Sequence, residues 1–135
     1  MKRIVLDASA LMTFFEGRPG AERVEELLRR AGEGELELCM SVVNWGEVYY
    51  SRWKTKGREA GIRAIAEIAQ LPITIVEADE ELTKLAAELR AQGKLPYADC
   101  FAAALALHRK ATLATGDKDF AQVETKVKIL WTTEG

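Results

Sequence analysis

The chain has 135 residues, 48% hydrophobic and 30% charged, with 19 basic against 21 acidic side chains and a net charge of −2. This length suits one domain over residues 1–135, the composition excludes a disordered chain, and no apolar run approaches the ~20 residues of a membrane span. A near-neutral balance gives no bulk attraction to nucleic acid.

The opening Met1-Lys2-Arg3-Ile4-Val5-Leu6-Asp7 meets charge too early for a secretory leader. Residues 3–6 read as the first strand, and Asp7 stands where it would cap a helix starting near Ala8. Residues 21–31 have a helical period that ends at Gly32. Residues 36–39 read as the second strand. Ser41 would cap a helix running to about Lys56, and residues 58–70 form another that Pro72 halts. Residues 73–76 are the third strand; Asp79 would cap a helix over 80–92 that ends at Gly93. A helix over 97–109 follows Pro96, and residues 112–114 and 128–131 supply two more strands. Residues 4–6 and 73–76 are too uniformly apolar or β-branched for a sheet edge facing water. Strand and helix in alternation predict a parallel sheet covered on both faces, an open three-layer α/β/α domain with its sites beyond the carboxyl ends of the strands. Cys39 and Cys100 sit in apolar surroundings without zinc-ligand spacing, as expected of reduced thiols in a cytoplasmic protein.

The chain has 16 Glu but only five Asp. Most Glu lie on amphipathic, solvated helices. Asp7 is the only charge between Ile4 and Phe15, Glu47 the only one between Leu38 and Ser51, and Asp99 the only one from Tyr97 to Leu107. Asp117 and Asp119 follow the fourth strand. Segments this apolar pack inside, and an isolated carboxylate there is costly unless paired, hydrogen-bonded or bound to metal. Each acid also has a plain structural use: Asp7 and Asp117 as caps, Asp99 in a first helical turn, Glu47 as the partner of a distant Arg.

If the first and fourth strands are neighbours, Asp7 and Asp117 end strands about 5 Å apart. Two carboxylates at that distance repel by roughly 3 kcal/mol at an effective dielectric of ~20, so a cluster of four must take up protons or a cation. All-oxygen ligands suit Mg²⁺ or Mn²⁺. The one histidine, His108, sits beside Arg109 and Lys110 and reads as a surface residue, which leaves no Ser/His/Asp triad, and no phosphate-binding P-loop is present. Phosphodiester hydrolysis at a carboxylate-held ion uses these parts best.

The pattern resembles the PIN domain family and, within it, the VapC-type toxins of prokaryotic toxin–antitoxin pairs. The matching blocks are Val5-Leu6-Asp7-Ala8-Ser9-Ala10-Leu11, Asn44-Trp45-Gly46-Glu47-Val48-Tyr49-Tyr50, the stretch from Leu95 to Ala106 around Asp99, and Ala114-Thr115-Gly116-Asp117-Lys118-Asp119-Phe120. The resemblance implies a five-stranded parallel sheet in the order 3-2-1-4-5 and a Mg²⁺- or Mn²⁺-dependent ribonuclease. Its implied acids are Asp7, Glu47, Asp99 and Asp117, with Asp7, Asp99 and Asp117 carrying the metal and Glu47 completing the shell or orienting the attacking water. Ser9 and Thr115 match supporting hydroxyls, and Asp119 matches a less uniform acid. Family members usually form homodimers and are held inactive by a cognate VapB-type antitoxin.

Between Ser51 and Ala64, five cations (Arg52, Lys54, Lys56, Arg58 and Arg63) face Glu59 alone, a local balance of +4. Arg52, Lys54 and Lys56 suit RNA phosphates or antitoxin carboxylates equally. Trp45, Tyr49 and Trp53 recur along one helix face and read as packing. The same fold used as a non-enzymatic binding module, with a metal-stabilised acidic cluster, is the main alternative to a nuclease.

Overall fold

The computed structural model describes residues 1–133. Strands β1 (Lys2–Leu6), β2 (Leu36–Ser41), β3 (Ile73–Val76), β4 (Thr112–Thr115) and β5 (Ile129–Trp131) form a parallel sheet in the order β3-β2-β1-β4-β5. Six helices connect them: α1 (Ala8–Glu16), α2 (Ala21–Gly32), α3 (Val42–Lys56), α4 (Arg58–Ile68), α5 (Glu80–Gln92) and α6 (Tyr97–Arg109). This is the α/β/α architecture and strand order that the resemblance implies.

The uninterrupted apolar character of β1 follows from its coverage on both faces. Ile4 and Leu6 join Leu36, Leu38, Met40 and Ala114 against α1, α2, α3 and α4, whereas Val5, Cys39 and Leu113 face α6. Ala102, Ala103, Ala104 and Ala106 are buried, and their small side chains let α6 lie close to the sheet. The N-cap expectations hold, whereas Gly32, expected to end α2 as its cap, lies inside the helix and Glu33 is the C-cap. The Ser41 side chain accepts from the Val43 amide, Asp79 accepts from Leu82, and Asp7 accepts from Ala10 at the start of α1. Both cysteines are buried free thiols, and burial pushes both up from their ordinary pKa. His108 is exposed, 3.7 Å from Glu81.

The apolar pattern of residues 73–76 argues against a sheet edge facing water, yet β3 is an edge strand, as the order 3-2-1-4-5 requires, paired with β2 alone among the described strands. Its apolar character has another cause. Ile73 and Ile75 pack against the α1–α4 side of the core, and Val76 packs on the α6 side, so the edge is shielded by faces rather than by a neighbouring strand. Thr74 is exposed. Smaller differences lie at element ends. β2 and β4 each run past the apolar run to a hydroxyl residue, Ser41 and Thr115. α4 stops at Ile68, where Gln70 and Leu71 turn their amides to carbonyls three residues back.

Candidate active site

Parallel pairing of β1 with β4 brings Leu6 opposite Ala114, so the residues that follow, Asp7 and Thr115, emerge side by side at the carboxyl end of the sheet. Asp7 is buried. Its Oδ1 accepts from the Ala10 amide at 2.8 Å and its Oδ2 from Thr115 Oγ1 at 2.6 Å, while Ser9 Oγ sits 2.9 and 2.8 Å from the two oxygens. Thr115 Oγ1 in turn accepts from the Asp117 amide at 2.9 Å. A hydrogen-bonded chain thus runs from β1 through two hydroxyls to the loop after β4. Gly116 belongs to that loop for a steric reason: a Cβ there would come within 2.9 Å of Thr132 Oγ1.

Asp117 caps a 3₁₀ turn over Lys118–Val123, accepting from the Asp119 amide at 2.9 Å. Glu47, one turn into α3, accepts from Asn44 Nδ2 at 2.8 Å, so the partner it finds is an amide rather than the distant Arg of its plain structural use. Asp99 lies in the first turn of α6. The capping roles and the convergence hold together: the turns that place the caps also aim the acids at one cleft.

That cleft, of about 220 Å³, is lined by Asp7, Ser9, Glu47, Asp99 and Asp117 together with Arg18, Tyr50 and Ser51. Larger hollows lie elsewhere. One of about 430 Å³ sits at the start of the strands around Arg3, Glu37 and Arg109, and an apolar one of about 480 Å³ lies between α4 and β3. Neither holds the acids.

Burial first, and mutual repulsion after it, set the electrostatics. Burial pushes Asp7 up to about 6; hydrogen bonds from Thr115, Ala10 and Ser9 oppose this, and the Asp117 charge adds to it. Glu47 is raised by burial, pulled back by Asn44 and raised again by Asp117. Asp99 is pushed up to about 7, first by burial and then by Asp117, Glu47, Asp7 and Asp119. The influences on Asp99 act in one direction, with no hydrogen-bond donor among the described residues to offset them.

The donor set fits a hard divalent cation. One carboxylate oxygen from each of Asp99, Asp117 and Asp119 lies within 4.8 Å of the others, close to the span of about 4 Å between opposite oxygens around an octahedral Mg²⁺. Asp119, expected as a secondary acid, thus stands in the tightest group among the described residues. Lys54 and Lys56 are exposed in the last turn of α3, outside the cleft lining. Arg52 lines a separate cavity of about 70 Å³ with Phe15 and Arg63.

No curated protein sequence matches the chain. The family model described as PIN domain matches residues 4–126. The chain belongs to the PIN domain family.

Similar solved structures include VapBC-1 from nontypeable Haemophilus influenzae, with 24% identity, TM-score 0.72 and coverage of 98% of this chain and 99% of that one. DNA-bound VapBC from Salmonella typhimurium has 16% identity, TM-score 0.74 and the same coverage, 98% and 99%. VapC20 from Mycobacterium tuberculosis, a sarcin–ricin loop cleaving toxin, has 15% identity, TM-score 0.70 and coverage of 89% and 94%. At these identities the likeness is one of fold.

One residue lining this PIN domain's cleft and one buried behind it escape a search of the sequence for acids. Arg18 is the one cation lining the cleft among the described residues, and its Nη2 lies 2.6 Å from Glu16 Oε2. It sits in a short Gly17-Arg18-Pro19 turn with no charge pattern to single it out. Asn44 supports Glu47 from inside the fold. Its signals in the sequence are that it is the chain's only asparagine and that it opens the family-like block around Glu47.

Proposed function

We propose that this PIN domain is a divalent-metal-dependent endoribonuclease and the toxin of a VapBC-type pair, acting in the cytoplasm as a homodimer and inhibited by a cognate VapB-type antitoxin. The observation that carries this reading is the convergence of Asp7, Glu47, Asp99 and Asp117 on one cleft, with carboxylate oxygens of Asp99, Asp117 and Asp119 within 4.8 Å of one another. A cation in the cleft would relieve the repulsion of such a cluster. No helix among the described residues is long and apolar enough to cross a membrane. The VapBC and VapC20 structures, one of them a sarcin–ricin loop cleaving toxin, support the toxin assignment by likeness of fold.

In this reading Asp99, Asp117 and Asp119 hold Mg²⁺ or Mn²⁺, with Asp7 and Glu47 at its flanks. When bound, the ion lowers the pKa of a water and stabilises charge developing on the phosphoryl oxygens. The protein's own groups do the rest. Ser9 and Thr115 fix the Asp7 carboxylate through their hydroxyls, so it need not reorganise as charge develops. Glu47, held by Asn44 at one oxygen, has the other left to complete the shell of the ion. Arg18 offers a guanidinium to a phosphate entering the cleft, and Tyr50, 55% exposed on the rim, offers a face on which a base stacks. Lys54 and Lys56, exposed in the last turn of α3, and Arg52 beside them offer positive charge outside the cleft to RNA or to acidic antitoxin side chains.

Purified protein incubated with total RNA is expected to yield discrete fragments with Mg²⁺ or Mn²⁺ and none with a chelator. Intact RNA under all metal conditions, with heat stabilisation by metal alone, would favour the binding-module reading. Arg18→Ala is expected to weaken RNA binding without abolishing cleavage. Losing one phosphate contact lowers the slope of log affinity against log salt by about 0.7 for a single strand. An unchanged slope removes Arg18 from the substrate path.

A further inference from the structure

Asn44 is fully buried in α3. Its Nδ2 donates to Glu47 Oε1 at 2.8 Å and to the carbonyl of Ala98 at 3.0 Å, the residue before Asp99. One amide nitrogen therefore ties a carboxylate on α3 to the backbone that carries a second carboxylate on α6. At its other end, Oδ1 is buried and accepts no hydrogen bond among the described residues. An apolar side chain of the same volume would avoid that orphaned acceptor, so packing alone does not account for an amide here. Two donors on one nitrogen are what the position uses. Serine supplies one donor and aspartate, when ionised, supplies none.

The geometry points to Asn44 as a positioning residue for the divalent cation, a role that presupposes the metal-dependent reading above. One proton fixes Glu47 Oε1 and leaves the second oxygen for the ion. The other holds α3 against the first turn of α6, so that Glu47 and Asp99 cannot drift apart under their mutual repulsion before an ion arrives. Such outer contacts orient the groups that bind a metal without touching it.

The test uses Mn²⁺ alone, titrated calorimetrically into the protein without RNA. Asn44→Leu is expected to melt, metal-free, within a few degrees of wild type, because it removes the orphaned acceptor along with the donors. Its Mn²⁺ affinity is expected to fall about 10- to 100-fold. In a Glu47→Gln background the same substitution is expected to cost less than about threefold more, since its main effect runs through Glu47. If Asn44→Leu loses its melting transition, Asn44→Ser is carried through the same titrations with the same expectations. Unchanged Mn²⁺ affinity, or a full loss added on top of Glu47→Gln, overturns the inference. A wild-type protein that takes up no Mn²⁺ overturns the nuclease reading itself.

Discussion

Asp99→Asn is expected to lower RNA cleavage by about 10³-fold while raising the melting temperature of the metal-free protein. The loss follows from removing one ligand of an ion that supplies several kcal/mol of transition-state stabilisation, at about 1.4 kcal/mol per tenfold in rate. The gain in stability follows from the surroundings of Asp99. Burial and four acids all act against its ionised form, and no donor among the described residues favours it, so a neutral amide relieves repulsion without breaking a hydrogen bond. Asp7→Asn should also abolish cleavage, but without a clear gain. There the Thr115 hydroxyl gives its proton to Asp7 while already accepting from the Asp117 amide, and an asparagine nitrogen in that place would leave the hydroxyl proton unmatched. Activity and thermal melts of the two variants, measured together, check this. An Asp99→Asn protein that melts below wild type without metal contradicts the picture of a repelling cluster.

The second large effect is a stability that depends jointly on pH and metal. A carboxyl whose folded-state pKa is raised stabilises the fold below its unfolded pKa, near 3.8, and loses that contribution as pH climbs through the folded value, about 6 for Asp7 and about 7 for Asp99. For Asp7 alone, acidification from pH 7.5 to 5 restores about 1.4 kcal/mol. The metal-free protein is therefore expected to melt about 5 °C higher at pH 5 than at pH 7.5. At pH 7.5, Mn²⁺ at a hundred times its dissociation constant adds about 2.7 kcal/mol, a rise of about 10 °C. At pH 5 protons hold the same oxygens, and the rise shrinks to about 2 °C or less. Scanning calorimetry in a two-by-two design measures all four states. An equal metal effect at both pH values, or a metal-free protein that weakens on acidification to pH 5, contradicts it.

Much of this was legible in the sequence because two signals coincide. Solvent exclusion makes β1 and α6 almost wholly apolar, and against that background Asp7 and Asp99 stand out as charges with no solvated face to occupy. Element ends were legible where a cap announces them, as at Ser41 and Asp79. Less legible were features that depend on three-dimensional neighbours. β3 has the composition of an interior strand because helix and loop side chains cover its faces, and a linear pattern does not separate that from coverage by another strand. The 3₁₀ turn over Lys118–Val123 has no period of its own. Arg18 reaches the cleft only because the turn after α1 folds back beside α3. Asn44 matters through the carbonyl of Ala98, 54 residues away.

The most direct measurement is anomalous diffraction at the manganese edge from crystals of the wild-type protein soaked in Mn²⁺ at pH 7.5. A difference peak in the cleft, bonded to carboxylate oxygens of Asp99 and Asp117, is the expected result. An empty cleft, or manganese bound only at other surface acids, would contradict a metal-dependent active site built from these side chains.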